Sequence, residues 1–225
     1  MEEGFFCRPI AHIRTDFGEK FGIPRQSGRV AEAVGRVIFL PAYRNPDALR
    51  EIGGFSHLWL LFDFSRAHRE GFTPTVRPPR LGGNRHVGVF ASRSPYRPNP
   101  IGLSSVRLLE VAEDGSYLMV GGVDLLDGTP ILDIKPYLPF TDAHPEATAG
   151  YAAEGEGHRL AVTLAPGVTL PAGRTGELIR ACLAEDPRPS YQDDPTRVYT
   201  MSLAGAEVAF TVAGDTLTVV ALTVR

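Results

Sequence analysis

A mainly β chain is predicted, with an N-terminal antiparallel β-barrel carrying a short helix and then a small α+β C-terminal domain. Three observations predict it. Apolar and β-branched runs cut by Gly/Pro turns fill the first 140 of the 225 residues. The long helices that alternate with strands in a doubly wound sheet are absent. Many short strands with one short helix are the pattern of a barrel or sandwich.

Taken in order, "FFCRPIAHIR", "VIFL", "FSHLWLLFDF", "HVGVFAS", "IGLSSVRLLEV" and "YLMVGGVDLL" read as strands. "AEDGSY" joins the last two as a hairpin turn with Asp114-Gly115 at its tip. "NPDALREIGG" reads as the short helix: Asn45 caps it, Pro46 takes the first turn and Gly53 supplies the left-handed stop. Residues 139–158 are rich in Ala, Gly and Glu and weakly patterned, which predicts a connection and divides the chain into domains 1–141 and 142–225. The second unit opens with the strand "RLAVTL" and the helix "TGELIRACLAEDP", capped by Thr175, with Leu178, Ile179, Cys182 and Leu183 as its apolar face. "RVYTMSL", "AEVAFTV" and "TLTVVALTV" close the chain as a meander turning at Ala204-Gly205 and Gly214-Asp215.

Composition excludes several function classes. Hydrophobic residues make up 43% and charged residues 22%, an ordinary globular balance. The longest apolar run, around residues 58–62, is too short to span a bilayer. "MEEGFFCRPI" places two acids where a secretory signal carries bases. Cys7 and Cys182 are far apart and form no CxxC pair. The expectation is a soluble, cytoplasmic protein with both thiols reduced and buried, a Cys7–Cys182 disulfide being the alternative. The six histidines show no HxH, HxxxH or HExxH spacing, so no metal site is expected. GxSxG and GxxxxGK[ST] are absent, as is the glycine signature of doubly wound methyltransferases; "GGNRHVG" does not follow a strand and open a helix.

Charge is uneven. The net charge is −3, yet residues 71–109 hold no acid and six arginines: Arg77, Arg80, Arg85, Arg93, Arg97 and Arg107. Arginine usage alone (21 Arg against two Lys) explains Arg over Lys but not the missing acids. Such a patch suits a polyanion, through counterion release and bidentate phosphate contacts. Within "RPNP", Arg97 and Asn99 each precede a proline and are held extended without helix or strand. Polar, irregular stretches recur at "FGIPRQSGR", at residues 77–102, at "DLLDGTPILDIKPY" with Asp124, Asp127, Asp133 and Lys135, and at "EDPRPSY". Each alone is explained by turns; together they are fixed loops on a rigid scaffold, where binding and catalytic groups concentrate.

"EKFGIPRQ", "FSHLWLLF", "TVRPPRLGG", "GVFASRSPYRPNPIGLS", "DLLDGTPILDIKPYLPF" and "DPRPSY" closely resemble the TsaA-like family, the TrmO-type tRNA methyltransferases. The match runs in order over nearly the whole chain. The resemblance implies a β-barrel that binds S-adenosylmethionine, a homodimer, and methylation at N6 of threonylcarbamoyladenosine beside the anticodon of tRNA. It implies cofactor contacts from Pro24, Arg25, Gln26, Arg93, Leu103, Leu125, Leu126, Asp127 and Gly128. It also implies cofactor contacts from Ser65 and Arg66, which stand where the family pattern has His-Gln, so a base role for a histidine there is lost. In-line methyl transfer needs alignment and exclusion of water, and a poor nitrogen nucleophile needs a proton acceptor. Asp133 is the expected base, with Lys135 and Tyr137 positioning substrate. Arg77, Arg80 and Arg85 are expected on anticodon stem-loop phosphates, with Arg97 and Asn99 at the threonylcarbamoyl group. Two alternatives stay open: a non-catalytic nucleotide- or RNA-binding barrel, and a methyltransferase of this fold with another acceptor.

Overall fold

The computed structural model describes residues 6–78, 85–189 and 192–224. The strands in its first part are β1 (Ala11–Thr15), β2 (Val34–Phe39), β3 (His57–Asp63), β4 (Thr75–Val76), β5 (Val87–Gly88), β6 (Ile101–Val111), β7 (Tyr117–Gly121) and β8 (Pro130–Pro136). Six of them close an antiparallel barrel in the order β1-β2-β7-β6-β3-β8, while β4 and β5 form a separate ribbon. Side chains alternate as the strand period requires. On β3, Leu58, Leu60 and Phe62 are buried, while Trp59, between the first two, is not. Ile13, Val37, Val106, Leu118, Val120 and Ile131 join them in the core.

The β6–β7 hairpin turns at Asp114-Gly115 as expected: Gly115 has φ 68°, and the Asp114 carboxylate accepts from the Ser116 amide and hydroxyl. Other local expectations shift. "NPDALREIGG" is two 3-10 turns, Pro46–Leu49 and Ile52–Gly54, rather than one helix. Asn45 does cap the first, accepting from the Asp47 amide at 3.0 Å. The left-handed residue is Glu51 (φ 67°), not Gly53, because Arg50 is already extended and breaks the helical run. "HVGVFAS" is strand only at Val87–Gly88, then a 3-10 turn at Val89–Ala91 with Val89 as its buried anchor. "YLMVGGVDLL" leaves the barrel after Gly121, where Gly122 (φ 74°) passes against the Gly28 backbone. "PILDIKP", within a stretch that looked irregular, is the full strand β8.

The second part comprises α1 (Pro139–Asp142), a 3-10 turn at Gly150–Gly155, β9 (Ala161–Leu164), α2 (Arg174–Ala184), β10 (Tyr199–Leu203), β11 (Ala206–Ala213) and β12 (Thr216–Val224). The sheet runs β10-β11-β12-β9. The meander is antiparallel, and β9 joins β12 in parallel. Leu178, Ile179, Cys182 and Leu183 form the buried face of α2. Its N-cap is Gly173 rather than Thr175. Burial, with smaller contributions from Glu32, Glu185 and Asp16, pushes the Cys182 thiol up to about 12. Cys7 is exposed, against the expectation of burial. No helix among the described residues is long and apolar enough to cross a membrane.

The barrel and the second sheet meet along an aromatic column. Phe21 stacks on Phe210 (6.4 Å, 6°), and Phe210 stacks on Tyr199 (5.5 Å, 21°). Arg174 pairs with Asp16 at 2.7 Å, and Glu19 accepts from the Ser202 amide at 2.6 Å. Because Phe210 is fully buried within this column, Phe210→Ala should lower the unfolding free energy by about 3–5 kcal/mol. Urea unfolding checks this, and a loss under about 1 kcal/mol contradicts it.

Candidate active site

A cavity of about 850 Å³ opens beside β3, β6 and the loop before β6. Trp59, Leu103 and Ser105 form its wall, with Trp59 directly opposite Ser105 in the β3–β6 pair. Phe62 and Phe64 meet edge-on at 5.1 Å and line it further. The Phe62 ring lies where a side chain at Gly102 would be, so any Cβ there would collide with the ring. Trp59 is held in place: its indole N–H donates to Asp142 at 2.8 Å, and its ring packs on Tyr137 at 5.4 Å.

The polar side of the cavity is assembled from three loops. Arg97 donates to the Ser92 carbonyl at 3.1 Å. Arg93 donates to the Gln26 amide oxygen. Arg25 donates to the Arg188 carbonyl at 2.6 Å. One acid lines the cavity among the described residues, Asp124. It accepts from the Ser104 hydroxyl at 2.7 Å. Burial pushes its carboxyl above the ordinary range, outweighing the bonds from Ser104 and the Ser27 amide and the nearby charge of Arg93.

"EDPRPSY" braces this arrangement as far as Pro189, its last two residues lying outside the described ones. Arg188 makes a two-pronged pair with Asp186, at 2.9 and 3.1 Å, both residues being buried. His158 adds a third contact at 3.1 Å. Burial alone would raise the Asp186 carboxyl; the bonds from Arg188 and His158 outweigh it and leave it below the ordinary range. Glu185, 4% exposed, receives Arg29 at 2.8 Å and Arg159 at 2.9 Å. The segment therefore grips the loop that carries Arg25.

Of the residues singled out in the sequence, Arg25, Gln26, Arg93, Arg97, Asn99 and Leu103 come together around the cavity. Pro24 is buried beside them. Ser65 and Arg66 are exposed in the turn after Phe64 and do not line it. Leu125 sits in the core. Leu126 turns its carbonyl to Thr129. The Asp127 and Gly128 amides donate to the Phe17 and Ile13 carbonyls. Asp127 pairs with Arg14 at 3.1 Å, and Gly128 lines a smaller hollow of about 390 Å³. Asp133 and Lys135 pair with each other at 2.9 Å on β8. They stand opposite Leu61 and Trp59 and outside the cavity lining. Arg77 donates to His86 at 3.0 Å, Arg85 pairs with Glu154 at 2.7 Å, and Arg80 lies outside the described residues. Asp124, Trp59, Ser104 and Asp142 were not singled out as site residues. The available signal was an acid inside the apolar run "VGGVDLL".

Residues 12–143 match the model of the tRNA-methyltransferase O N-terminal domain, and residues 168–225 match that of the TrmO C-terminal domain. The chain belongs to the TrmO family. Among TrmO relatives, the tRNA (adenine(37)-N6)-methyltransferase of Escherichia coli (strain K12) is 44% identical, covering 98% of this chain and 99% of its own. A Pyrococcus abyssi protein, named a probable S-adenosyl-L-methionine-binding protein, is 40% identical over 68% of this chain and 78% of its own. A crystal structure of TrmO from P. aeruginosa superposes with a TM-score of 0.81 at 34% identity, covering 100% of this chain and 99% of that one.

The buried carboxylate of this TrmO chain has a thermodynamic signature. Folding raises the pKa of Asp124 from its ordinary 3.8. Its contribution to stability is therefore complete below that value and is lost as pH rises through the folded value. Asp124→Asn should match the parent in acid and exceed its stability at neutral pH. Urea midpoints across that range read the difference, and a variant less stable than the parent at neutral pH contradicts the assignment.

Proposed function

We propose that this chain is an S-adenosylmethionine-dependent tRNA (adenine(37)-N6)-methyltransferase whose acceptor is the N6 nitrogen of threonylcarbamoyladenosine. The observation that carries the reading is one desolvated carboxylate, Asp124, in an aromatic-walled cavity that also holds Arg25, Arg93 and Arg97. This donor set fits the methyl donor. The cavity, about 850 Å³, is within the range of small-molecule sites. Guanidinium groups suit the donor's carboxylate, the Asp124 carboxylate suits its cationic groups, and the Trp59 and Phe64 rings suit its adenine.

When bound, S-adenosylmethionine supplies an electrophilic methyl group on a sulfonium. The protein's part is orientation, dryness and proton removal. Phe62, Phe64 and Trp59 exclude water from one side. A carboxylate oxygen of Asp124 accepts the proton from the acceptor nitrogen, a role that its raised pKa favours near neutral pH. Arg97 and Asn99, on the proline-rich loop that lines the cavity, suit the threonyl carboxylate. Asp133 with Lys135 is the second candidate for the base, favoured by its position on the strand beside Trp59. Residues 1–141 carry the chemistry in this reading, and residues 142–225 brace it through Asp142, Asp186 and Arg188. A homodimer belongs to the same reading, and Leu109 on β6, exposed and outside the cavity lining, is open to it.

Calorimetric titration with S-adenosylmethionine and single-turnover methylation of a threonylcarbamoylated stem-loop test the reading. Asp124→Asn should lower the single-turnover rate at least roughly a hundredfold, in the range of lost general-base catalysis. Asp133→Asn should lower it far less, and the reverse order transfers the base role to Asp133. Absence of donor uptake would leave a non-catalytic RNA-binding barrel. Donor uptake with methylation only at another nucleoside would leave a different acceptor.

A further inference from the structure

Two phenylalanines stand uncovered at the mouth of the cavity. Phe90 is 74% exposed and lines the opening, and Phe72 is 52% exposed behind it. Their rings stack, with centroids 6.2 Å apart and planes inclined by 25°. Exposed aromatic rings of this size are not needed for folding and normally mark a binding surface. Their backbone is fixed. The Val89 amide donates to the Pro74 carbonyl at 2.9 Å, tying the segment of Phe72 to the turn of Phe90. Val89 itself is buried, and the Tyr151 hydroxyl donates to the Ala91 carbonyl at 2.8 Å. Phe90 is therefore presented on a braced turn.

The charge around the pair is mostly positive. Arg77 sits next to the ribbon β4–β5 and Arg97 on the cavity loop. Arg69 lies over the Tyr96 ring at 3.7 Å. Arg85 lies over the Tyr151 ring at 5.9 Å while paired with Glu154. Glu70 is the one acid close by in sequence, and residues 71–109 contain none. Stacked aromatic faces within an arginine-rich rim are the means by which proteins hold unpaired nucleotides. A contact between copies of this chain would also use apolar rings, but the arginine rim would then face itself and repel.

We infer that Phe72 and Phe90 form a stacking platform for an unpaired nucleobase of the RNA substrate, a neighbour in the strand of the nucleotide whose base enters the cavity. The inference rests on the proposed tRNA methylation and adds a site to it. The platform holds the strand beside the reacting base, and the arginines follow its phosphates.

Phe72, which does not line the cavity, gives the cleaner test. Phe72→Ala should weaken binding of an unmodified anticodon stem-loop RNA roughly 5- to 150-fold, the loss of one base stack. The slope of log affinity against log salt should stay unchanged, because no phosphate contact is lost. Phe72→Trp should restore affinity. Arg77→Gln should instead reduce that slope by roughly 0.7, the value for one single-strand phosphate contact. Calorimetric affinity for S-adenosylmethionine, measured on the same Phe72 variants, should equal the parent's and reports that the barrel is intact. Undiminished RNA binding by Phe72→Ala overturns the platform while leaving methylation by the parent protein standing. Loss of RNA binding together with dissociation of a dimer in sedimentation velocity also overturns it, by showing that the pair meets a second copy. A parent protein that fails to methylate the threonylcarbamoylated stem-loop refutes the proposed function instead.

Discussion

A carboxylate kept out of water at the edge of a closed barrel constrains everything around it. Asp124 follows the apolar Val123, which is fully buried, and takes its position from where that residue must go. Its charged form is disfavoured there, and the Ser104 hydroxyl, its own backbone amide, the Ser27 amide and the Arg93 charge only partly offset the loss of water. The barrel tolerates such a group because closure pairs every edge and leaves the strands no easy way to yield. A more open sheet would relax around the carboxylate and hydrate it, and its raised pKa would be lost. Tension between stability and chemistry at Asp124 is thus built into the architecture.

The second sheet has a related purpose. Asp186 is left-handed at φ 51° and mostly buried, a combination that an isolated loop would not keep. The Arg188 fork and His158 hold it. A buried pair of this kind adds little net stability, because desolvation consumes most of the attraction. Its effect is geometric: it turns the Arg188 carbonyl towards Arg25, across 163 positions of sequence. The accuracy of the cavity's polar side therefore depends on a segment outside the barrel.

Strand positions were legible because period-two burial depends only on local sequence, as in β3 and β11. The α2 face was legible for the same reason, at helical period. Barrel closure between β1 and β8 was less so, since it joins residues more than a hundred apart. The cap at Asn45 was readable, whereas the break at Arg50 and Glu51 was not. A helix signal of one turn cannot outweigh tertiary packing. In the site, loops rich in Pro and Arg announced Arg25, Arg93, Arg97 and Asn99. Asp124 was visible as one polar residue of its stretch but received no role, because its significance is burial, which no single residue displays. Asp133 and Lys135, two residues apart on one strand face, are close enough in sequence for their pairing to be read in advance.

The arginines of the chain divide by the acceptors that hold them. Arg14, Arg29, Arg50, Arg85, Arg159, Arg174 and Arg188 meet carboxylates. In the cavity, Arg97 is fixed by the Ser92 carbonyl and Arg93 by the Gln26 amide oxygen. A neutral acceptor aligns a guanidinium without cancelling its charge, whereas a carboxylate does both. Arg93 and Arg97 are therefore oriented in advance and retain their charge for an anionic group brought in from outside. The stretch without acids, residues 71–109, is what makes this possible. An aspartate or glutamate on the same loops would pair with these arginines within the chain and leave the cavity neutral. The missing acids and the charged cavity are one feature, seen first in composition and then in geometry.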